Sequence, residues 1–166
     1  MTSKYQSPFS TRYSSEFMQE LFSVEHRSVV WRKLWVSLAN AQQKLGLPIT
    51  KEQVAQLQDH ISTIDFDVVA KREAEVRHDV MAHVYAFGKD APNAAGIIHL
   101  GATSCYVTDN SDLIIYRDAL NYIVNEVRCV VKNLADFALK YKDLPTLGYT
   151  HYQPAQLVTV GKRATL

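Results

Sequence analysis

The histidine at position 151 lies in a short polar segment, Thr150-His151-Tyr152-Gln153, directly ahead of Pro154. The segment predicts a connection between two helices, because proline is typical of the first turn of a new helix. A histidine in such a connection can exchange a proton near neutral pH, and Thr150 and Gln153 are placed to orient its ring. His151 is therefore a candidate general acid or base, although a lone loop histidine is also common polar surface.

A second candidate, His78, stands between Arg77 and Asp79. On a continuous helix its side chain points away from the apolar face, onto a second face that includes Met81 and is too apolar to be purely solvated. An imidazole in that position suits a cleft or a subunit interface. The alternative is an ordinary surface, with Arg77 paired to Glu73 at i,i+4 and His78 simply exposed.

The histidines and cysteines do not have the spacing of a metal site. His78 and His83 are five residues apart, which places them about 140° apart around a helix axis, whereas the zinc ligands of a metalloprotease lie at i and i+4. Cys105 and Cys129 form no C-x-x-C pair. We therefore expect no metal, no zinc ribbon and no disulfide framework.

Two further segments contain groups that suit an anionic ligand. Small residues lead into a long helix at Gly101, Ala102, Thr103 and Ser104, where backbone N–H groups and two hydroxyls can converge on a carboxylate or phosphate. The same residue types are also ordinary turn and N-cap residues. Near the N-terminus, Arg12-Tyr13 offers a guanidinium and a phenol to a phosphate, but one arginine is not specific.

The composition restricts the class of protein. The chain has 166 residues, 47% of them hydrophobic, so one domain with a buried core is expected and intrinsic disorder is excluded. Its 18 basic residues nearly balance 17 acidic ones, which argues against nucleic-acid and anionic-membrane partners. There is no apolar leader and no apolar run of membrane-spanning length, so a cytoplasmic location is predicted.

Glycine and proline fall mostly between periodic segments, which predicts an all-α fold. One helix carries an apolar stripe at spacings of three and four residues and ends at Gly46, which is followed by Pro48. The stripe consists of Trp31, Leu34, Leu38, Ala41 and Leu45.

Capping patterns predict two more helices. Thr50 with Gln53 forms a capping box for a short helix over residues 51–60. Asp65 is the expected N-cap of a helix that runs to about Phe87, with Gly88 closing it.

The longest periodic segment predicts a helix over residues 108–142, about 52 Å long at 1.5 Å per residue. A compact globule of this chain length is only about 40 Å across, so the helix extends beyond its own domain. Further apolar residues beside its main seam predict packing on more than one side: Ile115, Ala119, Val124, Val131 and Ala138. A helical bundle that includes other chains is therefore expected. The seam consists of Leu113, Tyr116, Leu120, Ile123, Val127, Val130, Leu134, Phe137 and Tyr141.

Taken together, six segments resemble the adenylosuccinate lyases of the fumarase/aspartase superfamily, and in particular the animal form. The most specific strings are R-H-D-V-M-A-H and H-L-G-A-T-S, whereas T-H-x-Q-x-A also fits the wider superfamily. The segments are residues 10–13 (S-T-R-Y), 77–83 (R-H-D-V-M-A-H), 94–104 (A-A-G-I-I-H-L-G-A-T-S), 143–148 (D-L-P-T-L-G), 150–156 (T-H-Y-Q-P-A-Q) and 161–163 (G-K-R).

The resemblance implies an elimination that breaks the C–N bond of adenylosuccinate, or of the succinylated aminoimidazole carboxamide ribotide, and releases fumarate without a cofactor. It implies that His151 is the general acid and that His78 orients the substrate. The carboxylates of the succinyl group would be held by Thr103 and Ser104. The full set of implied substrate-binding residues is Arg12, Tyr13, Arg77, His78, Asp79, Thr103, Ser104, Thr150 and Gln153.

The resemblance also implies a homotetramer with a shared helical bundle, in which each active site draws residues from three chains. Residues 1–104 would form an N-terminal helical domain, and residues 105–166 would begin the bundle domain. Members of the family carry their serine base in a loop of the form S-S-x-M-P-x-K-x-N-P, which does not occur in these 166 residues. The chain is therefore expected to be an N-terminal portion, truncated within the bundle and inactive by itself.

Two alternatives stay open. A noncatalytic all-α module would associate with full-length subunits through the long helix, and it would show assembly without turnover. Cleavage of argininosuccinate would keep the chemistry and change the leaving group, but the specific strings at residues 77–83 and 99–104 disfavour it.

Overall fold

The computed structural model describes residues 5–166, which divide into two compact units. The first unit extends to Arg117 and the second covers Asp118–Leu166. The helices are α1 (Glu16–Leu21), α2 (Val24–Lys44), α3 (Lys51–Asp59), α4 (Phe66–Val76), α5 (Asp79–Asp90), α6 (Cys105–Lys140) and α7 (Val160–Arg163). A π-helical turn (Phe9–Tyr13), a 3₁₀ helix (Pro92–Ile97) and two strands, β1 (Pro145–Thr150) and β2 (Gln153–Thr159), complete the fold. The all-α prediction is confirmed, apart from this small sheet.

The core of the first unit is built on α2, but on a different face from the predicted stripe. Trp31 is buried as expected, whereas Ala41 is exposed and Leu45 is 81% exposed. The buried face continues instead through Trp35 and Ala39, again at spacings of four residues. The predicted stripe was wrong at its C-terminal end because two apolar faces run side by side along α2.

The predicted helix ends next to α2 and α3 are confirmed. Gly46 has φ +90°, and the N–H of Leu47 donates to the carbonyl of Gln42, as in a glycine-terminated helix. Both hydrogen bonds of the capping box between Thr50 and Gln53 are present, and α3 ends at Asp59.

The predicted single helix from Asp65 to Phe87 is wrong, because the chain breaks at Arg77. Arg77 has φ +54° and ends α4, and the extended His78 is the N-cap of α5, accepting from the N–H of Met81 at 3.4 Å. Apolar periodicity continues across the break and hides it in the sequence. Gly88 does not close a helix, since α5 continues to Asp90.

A buried arginine joins α2 to α5. The Arg32 guanidinium donates to Asp90 at 2.8 Å and to the carbonyl of Thr63 at 2.9 Å, and it lies 4.3 Å from the centre of the Phe87 ring. Burial lowers the pKa of Arg32, and Asp90 opposes that shift. These contacts fix the C-terminal end of α5 against the middle of α2.

The second unit contains a β-hairpin where a helix was predicted. Strands β1 and β2 pair antiparallel from Pro145↔Thr159 to Thr150↔Gln153. The prediction that Pro154 opens a helix is therefore wrong. Proline is tolerated here because a two-stranded sheet has only edge strands.

Helix α6 agrees closely with the predicted long helix. Its 36 residues give a length of about 54 Å. Within the first unit its buried face is formed by Val107, Ser111 and Ile115. Of the apolar residues beside the seam, Ile115 and Ala119 are buried, whereas Val124 is 46% and Val131 is 59% exposed. None of the helices in residues 5–166 has the length and apolarity needed to cross a membrane.

Gly161 fits α7 against the end of α6, and its substitution should destabilise the second unit. Its N–H donates to the carbonyl of Tyr141, and an added Cβ would lie 2.8 Å from the backbone of Lys142 and closer still to the carbonyl of Ala138. We expect Gly161→Ala to cost about 1–3 kcal/mol in thermal unfolding. Gly96→Ala, where nothing lies within 4 Å of the added Cβ, is the control. If the two variants were equally stable, the predicted effect of the close packing at Gly161 would be contradicted.

Candidate active site

His151 lies at the tip of the hairpin in a strained backbone conformation. His151 and Tyr152 have φ values of +50° and +63°, so the two-residue turn has the left-handed geometry of type I′. Such turns favour Asn-Gly, and a non-glycine residue in this region costs about 1–2 kcal/mol. The His151 side chain is exposed. Thr150 and Gln153 pair with each other across the turn, and neither forms a hydrogen bond to the His151 ring among the contacts of residues 5–166.

His78 lies at the junction of α4 and α5, directly after the left-handed Arg77. Its Nδ1 accepts from the N–H of Met81 and lies 3.5 Å from a carboxylate oxygen of Asp79. Arg77 makes no ion pair with Glu73 in the described part of the chain. Instead, its backbone N–H donates to the Glu73 carbonyl at 2.7 Å.

His99 was not assigned a role from the sequence, and the structure gives it a distinctive environment. Its φ is +63°, and its Nδ1 accepts a hydrogen bond from Nε1 of Trp35 at 3.0 Å. Burial lowers the pKa of His99, and the nearby charge of His78 lowers it further. The charge of His78 therefore acts on the ring of His99. The only sequence signal was membership of the H-L-G-A-T-S string.

The segment after His99 leads into α6. Gly101 has φ +69°, and the N–H of Ala102 donates to the His99 carbonyl at 3.2 Å. Thr103 is exposed and Ser104 is half-buried, and their carbonyls accept from the first N–H groups of α6. Thr103 and Ser104, which carry the two hydroxyls, thus stand four and five residues after His99.

Arg12 and Tyr13 lie in another segment of the first unit. Both are exposed in the π-helical turn, with the Arg12 guanidinium 5.8 Å from the centre of the Tyr13 ring. No described contact links them to His78 or His99. Thr150, His151 and Gln153 belong to the other compact unit.

Another histidine, His83, is buried and lines a small cavity together with Trp31. Its Nδ1 has no hydrogen-bond partner, and the two rings meet edge to face at 5.1 Å. Burial lowers the pKa of His83, the charge of Arg32 lowers it further, and Asp79 opposes both. Among residues 5–166, no cluster of three or more His, Cys, Asp or Glu side chains could hold a metal ion.

Comparison with known proteins places these residues in a family. The profile of the protein family described as lyase matches residues 2–166. The chain belongs to this lyase family. The resemblance noted from the sequence is also confirmed: the chain is 55% identical to adenylosuccinate lyase of Saccharomyces cerevisiae, over 98% of this chain and 34% of that protein. It is 46% identical to the enzyme of Caenorhabditis briggsae, so this animal enzyme is less similar than the fungal one, and the narrower resemblance to the animal form stays a prediction.

Solved structures of the lyase type share the fold. A fumarate lyase from Mesorhizobium matches 97% of this chain with a TM-score of 0.82 and 28% identity. A 3-carboxy-cis,cis-muconate lactonizing enzyme from Pseudomonas putida matches 94% with a TM-score of 0.83 and 29% identity. The chain spans about a third of the length of the curated relatives it matches.

Proposed function

We propose that this chain forms part of an adenylosuccinate lyase, which eliminates fumarate from adenylosuccinate to give AMP and from the succinylated aminoimidazole carboxamide ribotide in purine nucleotide synthesis. The observation that carries the proposal is the backbone of His151, a non-glycine residue held in the left-handed region at the hairpin tip. Strain of this kind is typical of functional sites. The 55% identity to an enzyme of that name supports the choice of substrate.

The proposed reaction needs an acid, a base and donors for a developing dianion. His151 would protonate the departing nitrogen. Its ring is exposed in a two-residue turn and can contact a bound substrate. A base would remove the proton beside a succinyl carboxylate. No cofactor takes part in this scheme.

The remaining groups would bind and orient the substrate. His78 with Arg77 and Asp79 offers an imidazole, a guanidinium and a carboxylate within three consecutive residues. The hydroxyls of Thr103 and Ser104 would donate to the succinyl carboxylates. Arg12 and Tyr13 would bind the nucleotide end, and Thr150 and Gln153 would contact substrate beside His151.

We propose that the second unit associates with other copies of the subunit, in a homotetramer whose active sites are shared between chains. The support is the apolar seam of α6, which is exposed along the second unit. Its exposed members there are Leu120, Ile123, Val127, Val130, Leu134 and Phe137, and the apolar residues Val124, Val131 and Leu139 are exposed on the same helix. Surfaces of this kind are typical of interfaces.

We expect these 166 residues alone to give no enzymatic turnover of adenylosuccinate, because the serine base of the family lies in a loop whose pattern they do not contain. The measurement follows the purine absorbance with purified chain, with full-length yeast enzyme as the positive control. The chain with His151→Ala controls for contamination. Turnover that copurifies with the chain and disappears in that variant would show that the base lies among these residues and would contradict the expectation.

The same seam also favours a second candidate, a noncatalytic module that joins full-length subunits. The two candidates differ once the chain is extended with the serine-loop segment. Under the lyase proposal the extended protein cleaves adenylosuccinate and loses that activity with His151→Ala. Assembly without turnover in the extended protein would favour the module.

A further inference from the structure

The buried indole of Trp35 contacts a histidine 64 residues away in the sequence. Trp35 is 1% exposed, its Nε1 lies 3.0 Å from Nδ1 of His99, and the two rings meet nearly perpendicular at 88°. An indole N–H can only donate a hydrogen bond. Nδ1 of His99 must therefore be the acceptor and must carry no proton.

This contact determines where the proton of His99 resides. A neutral imidazole has one donor and one acceptor nitrogen, so acceptance at Nδ1 leaves the proton on Nε2. A charged ring would carry protons on both nitrogens and would lose the bond to Trp35. Burial of His99 and the charge of His78 also oppose the charged form, which is why the pKa of His99 is lowered.

Helix α2 holds the segment around His99 at a second point. Nε2 of Gln42 donates to the carbonyl of Leu100 at 2.8 Å, two helical turns beyond Trp35. His99 and Gly101 both adopt left-handed φ values within this segment. The backbone and the ring of His99 are therefore both fixed by α2.

We propose that Trp35 is a positioning residue, whose indole N–H fixes His99 as the neutral Nε2–H tautomer and so makes the other ring nitrogen a hydrogen-bond donor. A neutral N–H donor suits an acceptor oxygen of the ligand, such as a carboxylate or phosphate oxygen. This inference rests on the proposed function only for the identity of that ligand. The tautomer of His99 does not depend on the identity of the ligand.

The test is nitrogen NMR of the histidine rings in the uniformly labelled 166-residue chain. We expect a pyridine-like Nδ1 and a pyrrole-like Nε2 for His99 at neutral pH. In Trp35→Phe, the Nδ1–H form should appear, and the pKa of His99 should rise by about half to one unit, as expected for loss of one hydrogen bond. Trp31→Phe is the matched control, since Trp31 is also buried but donates to Ser111, and it should leave His99 unchanged.

A second variant keeps the test decisive if Trp35→Phe does not fold. His99→Gly suits the left-handed backbone and leaves Trp35 in place, so the Trp35 indole N–H signal should move and exchange faster with solvent. A proton on Nδ1 in the unmodified chain, or an unchanged indole signal in His99→Gly, would overturn the proposal. Neither measurement requires turnover, so failure of the proposed function would be seen separately in the absorbance assay.

Discussion

Replacement of His151 by alanine is expected to lower kcat about 10²–10⁴-fold and to change KM little, in an enzyme that carries the rest of the site. The reason is that an acid acting on the leaving nitrogen stabilises mainly the transition state. Steady-state kinetics on adenylosuccinate would measure both constants. Turnover near the wild-type value with a raised KM would make His151 a binding residue.

Two substitutions in the strained turn can distinguish the role of the His151 imidazole from the role of the backbone conformation. Asparagine adopts the left-handed region readily and is favoured in type I′ turns, so His151→Asn should preserve the hairpin and still lose turnover. Tyr152→Asn relieves the same strain at the neighbouring residue, which is 97% exposed, and keeps the imidazole. We expect Tyr152→Asn to retain activity. Equal losses in both variants would indicate that the shape of the turn, and not the imidazole, is what matters.

The sequence predicted helices well where a strong local signal marks their ends. The capping box at Thr50 and the stop at Gly46 are chemical signals read over a few residues. The break at Arg77 was missed because arginine is not a usual residue for a left-handed cap. The hairpin around His151 was missed for a similar reason, since His-Tyr lacks the Asn-Gly signature of a type I′ turn.

The candidate site could be predicted only in part, because some of its contacts join distant segments. His78 and His151 were found from residue type and local pattern, and they stay predictions. The contact of Trp35 with His99 depends on how α2 packs against the segment before α6, and no periodicity in either segment encodes it. The same limit explains why the buried face of α2 was placed correctly at Trp31 and wrongly at Leu45.

Val127→Asp on α6 should disrupt self-association of the chain. Val127 is 52% exposed and lines a shallow apolar groove with Ile123, Val124 and Val131. A carboxylate buried without a partner costs about 3 kcal/mol, which corresponds to an association about 100-fold weaker. Light scattering would then report a molar mass falling from that of an oligomer towards 18.8 kDa.

The control for this prediction is Asn125→Asp on the same helix. Two helical steps place Asn125 about 160° around the axis from Val127, and both variants add one negative charge. Asn125 is exposed and accepts from the Arg128 guanidinium at 3.3 Å, a bond that aspartate would keep. Asn125→Asp should therefore leave the molar mass unchanged, because its face carries no apolar seam. If the unmodified chain were already monomeric at tens of micromolar, or if both variants dissociated equally, the seam would not be the surface that joins the subunits.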